Sequence, residues 1–259
     1  IAALTGGPKW FQLYVWKDRE LVKEMITRAK ATGYKALILT VDLPVHGNRE
    51  RDPKNGFTIP PTVGPRQIWE ALKSPAWIWD YLTGDPIKYA NIKADLGAIS
   101  LAEFIGRQLH AGFTWDAADW LLGDWNGPAV IKGVVRADDA RQAANIGFNA
   151  VTVSKHGGRQ LDHSPAPIEV LEDVVQSVGN DAEVILDGGV RRGTDILKAL
   201  ALGAKAVSFA RPYLFGLAAG GEQGVDRALN ILKTSLERDM ALLGTRTIGE
   251  IDRSFIRNI

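Results

Sequence analysis

A chain of 259 residues, 46% hydrophobic and 24% charged, has material for one α/β barrel or two smaller globular domains. Its 31 basic and 30 acidic residues leave a net charge of +1, which excludes the electrostatic footprint of a nucleic-acid binder, and no run of like charges marks a tail. The absence of cysteine excludes disulfides, thiolate metal sites and cysteine nucleophiles, and fits a reducing compartment.

The opening Ile1-Ala-Ala-Leu-Thr-Gly-Gly-Pro8 reads as the tail of a helix running into a loop, with no recognisable signal peptide. The sequence is therefore expected to be a piece of something longer or a processed product. A first apolar run at 11–15 reads as a strand. A helix follows over 19–32, with apolar residues at Leu21, Val22, Met25, Ile26 and Ala29. The second strand is expected at 36–41. More than eighty residues then separate it from the third, at 129–134, so a long insertion is expected over about 60–125.

That insertion carries Trp69, Trp77, Trp79, Trp115, Trp120 and Trp125, six of the eight tryptophans. Tryptophan favours interfaces, which admits a membrane-facing or lid-like excursion. The alternative is that the rings pack the excursion against the barrel, and the lack of clustered Lys and Arg favours it. Beyond the insertion the alternation resumes. A helix is expected at 137–146, opening with Asp138 and Asp139. Strands at 150–154, 184–186 and 206–209 alternate with helices at 167–178, 193–202 and 224–243. Six strand–helix units in succession predict a parallel sheet covered by helices. No stretch approaches the ~18 apolar residues that span a bilayer.

In a (β/α)₈ barrel the active site is assembled from the C-terminal ends of the strands. Here those ends carry Gln12 and Tyr14, then Thr40 and Asp42, then Lys132, then Ser154, His156 and Arg159, then Asp187-Gly-Gly-Val-Arg-Arg-Gly193, and last Arg211. Each has a structural alternative: Lys132 could snorkel, Asp42 cap a turn, Arg211 lie on the surface. Six strand ends of one chemical character argue instead for a site. Histidine moves protons near neutral pH, and Arg159 can grip a carboxylate with two hydrogen bonds. Glycine-rich backbone with Arg191 and Arg211 at the last two units predicts a phosphorylated cofactor. The sequence offers no metal-ligand spacing, no Walker loop, no Gly-x-Gly-x-x-Gly after a strand and no nucleophile elbow.

Phe11-Gln-Leu-Tyr14, Leu39-Thr-Val-Asp42, Ile131-Lys-Gly133, His156-Gly-Gly-Arg-Gln-Leu-Asp162, the Asp187 loop and Ala199-Leu-Ala-Leu-Gly-Ala204 together resemble the FMN-dependent α-hydroxy acid oxidases and dehydrogenases. The likeness runs in order from Trp10 to about Ile251. Ser74-Pro-Ala-Trp-Ile-Trp79 and Phe113-Thr-Trp-Asp116 look most like the L-lactate and mandelate dehydrogenase branch. The resemblance implies a TIM (β/α)₈ barrel of which this chain carries the last six units, and FMN as cofactor. It implies oxidation of an L-2-hydroxy acid, with electrons passed to a quinone or other carrier, or to O₂ in the oxidases. A cytoplasmic homo-oligomer, with contact to the inner face of the cell membrane as an option, completes that expectation.

Residue by residue, the resemblance makes His156 the base and Asp42 the group that orients it. Arg49 and Arg159 would hold the substrate carboxylate, and Tyr14 would hydrogen-bond the substrate. Lys132 would stand beside the flavin N1–C2=O edge, with Gln12, Thr40 and Ser154 at the ring. Asp187 would meet the ribityl chain, with Gly188 and Gly189 in the same loop, and Arg191 and Arg211 would meet the phosphate. Two residues depart from the pattern. Lys155 stands where the family has Asn, so a second cation could disturb the flavin pocket. Ala210 stands where it has Gly, so a methyl could crowd the phosphate. With the two missing strands, these departures leave a non-catalytic barrel that binds a phosphate ligand or a partner as the other reading.

Overall fold

The computed structural model describes residues 6–57, 64–84 and 101–257. Residues 1–5 of the opening segment and parts of the expected insertion lie outside the described residues. The described chain divides into two units, Ile1–Asn48 with His110–Ile259, and Arg49–Leu109.

The first unit is built on six parallel strands: β1 (Trp10–Tyr14), β2 (Ala36–Thr40), β3 (Ala129–Val134), β4 (Ala150–Val153), β5 (Glu183–Asp187) and β6 (Ala206–Ser208), hydrogen-bonded in that order. Parallel strands in sequential order form part of a (β/α)₈ barrel, the fold that the resemblance implies. Helices α1 (Arg19–Ala31), α6 (Trp115–Trp125), α7 (Ala137–Asn145), α8 (Pro167–Val178), α9 (Gly193–Ala201) and α10 (Arg211–Leu243) alternate with the strands. Between β2 and α6 the second unit holds α2 (Arg51–Lys54), α3 (Pro65–Leu72), α4 (Pro75–Thr83) and α5 (Leu101–Gln108).

Side chains alternate across a strand, so the pleat sorts each sequence into two faces. Leu37, Leu39, Ala129, Ile131, Val151, Val153, Val184 and Leu186 share one face and one buried cluster. Val22, Met25 and Ile26 of α1, Ala140 of α7, Leu171 and Val174 of α8, and Ile196 of α9 complete that cluster. Each large side chain buried there contributes about 1.5–3 kcal/mol. The opposite face starts with a small separate cluster of Val130, Ala150 and Ile185 with Ile38. Further along the same strands and on the same face come Thr40, Lys132, Thr152 and Asp187, by the two-residue period. The pleat, more than any loop, gathers the polar residues.

Local chemistry fixes the ends. Asp18 caps α1, its Oδ1 accepting the Leu21 N–H at 3.0 Å. Asp195 Oδ2 accepts the N–H groups of both Arg191 and Arg192, at 2.9 and 3.0 Å, and so ties the glycine-rich loop to the start of α9. The last helix begins at Arg211, ahead of the expected 224. Gly220 and Gly221 leave helical geometry and split it in two (φ −161° and 58°), and Gly224 sits so close to Gly216 that a Cβ would lie 1.9 Å from its carbonyl oxygen. The sequence pattern showed only the half beyond this break.

The tryptophans divide. Trp125 is buried in the core of the first unit, with Trp115 and Trp120 packed against it. In the second unit Trp69, Trp77 and Trp79 are exposed, and Trp77 stacks on Tyr81 at 5.3 Å.

Candidate active site

Beyond the C-terminal end of β2, Asp42 meets His156 from the loop after β4: His156 Nδ1 lies 3.1 Å from Asp42 Oδ1 and 3.3 Å from Oδ2. Both side chains are largely shielded, at 22% and 10% exposure. The pair spans 114 residues of sequence. Three close approaches hold it. Gly133 has φ +104°, and a Cβ there would stand 2.6 Å from Asp42 Cβ and Cγ, so only glycine leaves room for the carboxylate. The register of β3 on β4 shifts at this same glycine, between Lys132 and Val134. Gln160 Nε2 donates to the Asp42 carbonyl at 3.0 Å. Gly47 presses against the His156 loop, where a Cβ would lie 2.3 Å from the Arg159 carbonyl oxygen.

His156 itself has φ +56°, in the left-handed region that non-glycine residues seldom occupy. Its N–H donates to Ser154 Oγ at 3.1 Å, which fixes the turn out of β4. Tyr14 lies beside the imidazole, with ring centroids 6.3 Å apart.

A second cluster occupies the same sheet face. Lys132 Nζ donates to Asp187 Oδ2 at 2.6 Å and to Ser154 Oγ at 3.2 Å. Ser154 Oγ donates to Asp187 Oδ2 at 2.7 Å, and Ser208 Oγ donates to Asp187 Oδ1 at 2.8 Å. Burial alone would push the Asp187 carboxyl up. The hydrogen bond and charge of Lys132, with the hydroxyls of Ser154 and Ser208, outweigh that and hold it below the ordinary value of 3.8. A depressed folded-state value means stability that is fully present above the unfolded value and lost as pH falls through the folded one. The advantage of the wild-type chain over Asp187→Asn is therefore expected to be constant from about pH 7 to pH 5 and to shrink below about pH 4. Urea midpoints across that range check it; a gap that widens with acid contradicts the assignment.

The remaining expected residues fall as follows. Thr40 is 1% exposed and its Oγ1 has no hydrogen-bond partner among the described residues. Gln12 shares the inward face of β1 with Tyr14 and is exposed there. Gly188 and Gly189 have φ of +95° and +79°. Arg159 and Arg191 lie at the surface, and Arg211 reaches back to donate to the Gly157 carbonyl at 2.6 Å. Arg49 belongs to the second unit.

The two departures fall as follows. Lys155 Nζ donates to the Ser164 carbonyl at 2.8 Å, so its cation closes the 155–164 loop. Ala210 has φ −118°, a backbone angle open to any residue. Sequence reasoning gave no role to Ser208, Gln160 or Gly47. The pairing of Asp187 with Ser208 across β5 and β6 exposes the first, and the other two show no local signal.

Comparison with known proteins gives the family. The family model for FMN-dependent dehydrogenase matches residues 1–258. L-lactate oxidase of Nostoc sp. is 44% identical over 248 residues, 96% of this chain and 64% of that protein. L-lactate dehydrogenase of Caulobacter vibrioides is 40% identical over 262 residues, 99% of this chain and 68% of that protein. Among solved structures, that of the monotopic membrane protein (S)-mandelate dehydrogenase superposes with a TM-score of 0.94 at 39% identity, covering 100% of this chain and 69% of that one. The chain spans 60–65% of the length of four curated relatives that it matches. An in-order match over nearly every residue, with a shared backbone, places the chain in the FMN-dependent dehydrogenase family.

Proposed function

We propose that this chain carries about two-thirds of an FMN-dependent enzyme that oxidises an L-2-hydroxy acid of the lactate or mandelate type to the 2-oxo acid. The observation that carries the reading is the His156–Asp42 pair standing at the same end of the sheet as the Lys132–Asp187 cluster. The residues present fit FMN. Thr40 brings a buried hydroxyl that no described group satisfies, a state that costs about 1–3 kcal/mol without a partner. Lys132 brings a cation to the same face, and Gly188 and Gly189 bring backbone free of side chains.

Thr40, Gln12, Ser154 and Lys132 would hold the flavin ring, Asp187 its ribityl chain, and Arg191 and Arg211 its phosphate. When bound, FMN supplies the two-electron acceptor for the reaction. Asp42 engages Nδ1 of His156, which directs proton exchange to Nε2 and favours the imidazolium formed when His156 takes a proton from the substrate. Arg159 would grip the substrate carboxylate, and Tyr14 would hydrogen-bond its oxygen. The 2-hydroxy acid loses two protons and two electrons and leaves as the 2-oxo acid.

A quinone or another carrier is the acceptor on this reading. Trp77 and Tyr81 stack on an exposed face of α4, an aromatic pair suited to a bilayer interface, and the (S)-mandelate dehydrogenase is a monotopic membrane protein. No helix among the described residues is long and apolar enough to cross a membrane. The likeness to an L-lactate oxidase supports O₂ as the competing acceptor. Anaerobic addition of L-lactate or (S)-mandelate to the FMN-loaded protein is expected to bleach the flavin. A quinone analogue should restore the colour faster than air does. No bleaching with either acid sinks the reading, and stoichiometric peroxide in air assigns the oxidase alternative.

A further inference from the structure

Ser208 stands at the end of the shortest strand, and its position follows from the pleat and the register. β6 pairs with β5 so that Ser208 lies directly opposite Asp187, and the Gly188 N–H donates to the Ser208 carbonyl at 3.2 Å. The alternation that places Val207 against the outer core turns Ser208 to the face occupied by Lys132, Ser154 and Asp187.

The carboxylate of Asp187 is thereby held from two sides. Oδ2 takes Lys132 from β3 and Ser154 from the end of β4; Oδ1 takes Ser208 from β6. Two bonds on a single oxygen leave a carboxylate free to swing about its Cβ–Cγ bond, whereas a third on the other oxygen fixes its plane. With the plane fixed, the Lys132 ammonium, bonded to Asp187 and Ser154 together, has one place to stand. Ser154 also accepts the His156 N–H, so the same hydroxyl joins this cluster to the turn that carries the proposed base.

We propose that Ser208 is a positioning residue that acts through Asp187 to hold Lys132 in place for the cofactor. The proposal rests on the flavin reading above for what Lys132 meets, but not for the contact with Asp187. Removing the Ser208 hydroxyl frees Oδ1 and moves the cost of ordering Asp187 and Lys132 into the binding step, which weakens binding without touching the ligand's own contacts. The charged neighbour of the Asp187 carboxylate is Lys132, across the sheet.

The test compares the wild-type chain with Ser208→Ala and Ser208→Thr, the second of which keeps a hydroxyl. FMN affinity is read from quenching of flavin fluorescence, and the Asp187 carboxyl is titrated by carbon NMR in the ligand-free protein. Ser208→Ala is expected to weaken FMN binding about three- to tenfold and to move the Asp187 titration to higher pH, with Ser208→Thr close to wild type in both. Unchanged FMN affinity in Ser208→Ala overturns the proposal, and so does an unchanged Asp187 titration. If Ser208→Ala does not fold, Ser208→Cys, close in size and a weaker donor, takes its place with the same expected readings. A wild-type chain that binds no FMN overturns the flavin reading itself, and the Asp187 titration then decides the role of Ser208 alone.

Discussion

Replacing His156 with alanine is expected to slow substrate-driven bleaching of bound FMN by about 10²- to 10⁴-fold, the range that a positioned general base contributes. The flavin should stay bound, because the residues proposed to hold it lie on Thr40, Lys132, Ser154 and Asp187, none of which depends on the imidazole for its place. Asp42→Asn should lose less. The amide keeps most of the packing against Gly133 but no longer favours an imidazolium, so the proton would be taken less readily. Anaerobic stopped-flow reduction with L-lactate and (S)-mandelate measures both variants. A His156→Ala rate within about tenfold of wild type removes His156 as the base.

Lys132→Met is expected to destabilise the chain by about 2–4 kcal/mol. The two partners are each only 13% exposed, so the substitution leaves the Asp187 carboxylate in a poorly hydrated place with two hydroxyl donors and no cation. Those hydroxyls are the reason for a value below that of a fully stranded buried charge. The double variant Lys132→Met with Asp187→Leu should recover most of the loss, because it removes the charge that was left unpaired. Urea unfolding of the three proteins gives the comparison. A single-variant effect below about 0.5 kcal/mol would show that the pair contributes little to folding.

Much of this molecule was legible in the sequence because one physical rule governs both its fold and its site. A strand whose outer face joins a core must show apolar residues at every second position. Leu37 and Leu39, Val151 and Val153, and Val184 and Leu186 do so, and the six strands follow. The polar members of the same alternation then face the other way. Lys132 was visible for this reason: a cation flanked by Ile131 and Gly133 in a buried strand needs a partner. Its choice of partner was not legible, since Asp187 lies 55 residues on and the register decides the meeting. Ser208 was hidden because Ala-Val-Ser-Phe reads as a plain apolar run until Asp187 is seen opposite. The direction of Lys155 was not legible, since sequence neighbours share a location but not a direction. Its side chain ends at the Ser164 carbonyl. The six tryptophans of the expected insertion were treated as one group. They serve two ends, since α6 packs on the sheet and α3 and α4 present their rings outward.

The left-handed backbone at His156 means that the chain is not as stable as its own framework would allow. An L residue at φ +56° carries a backbone cost of about 1–3 kcal/mol, from which glycine is exempt. Gly157 and Gly158, which follow at φ +66° and +77°, show that the turn suits glycine. Drift toward a more stable protein would therefore run through a glycine at 156, and that protein would have no imidazole. A histidine that persists in this turn marks the position as one where chemistry and folding pull in opposite directions.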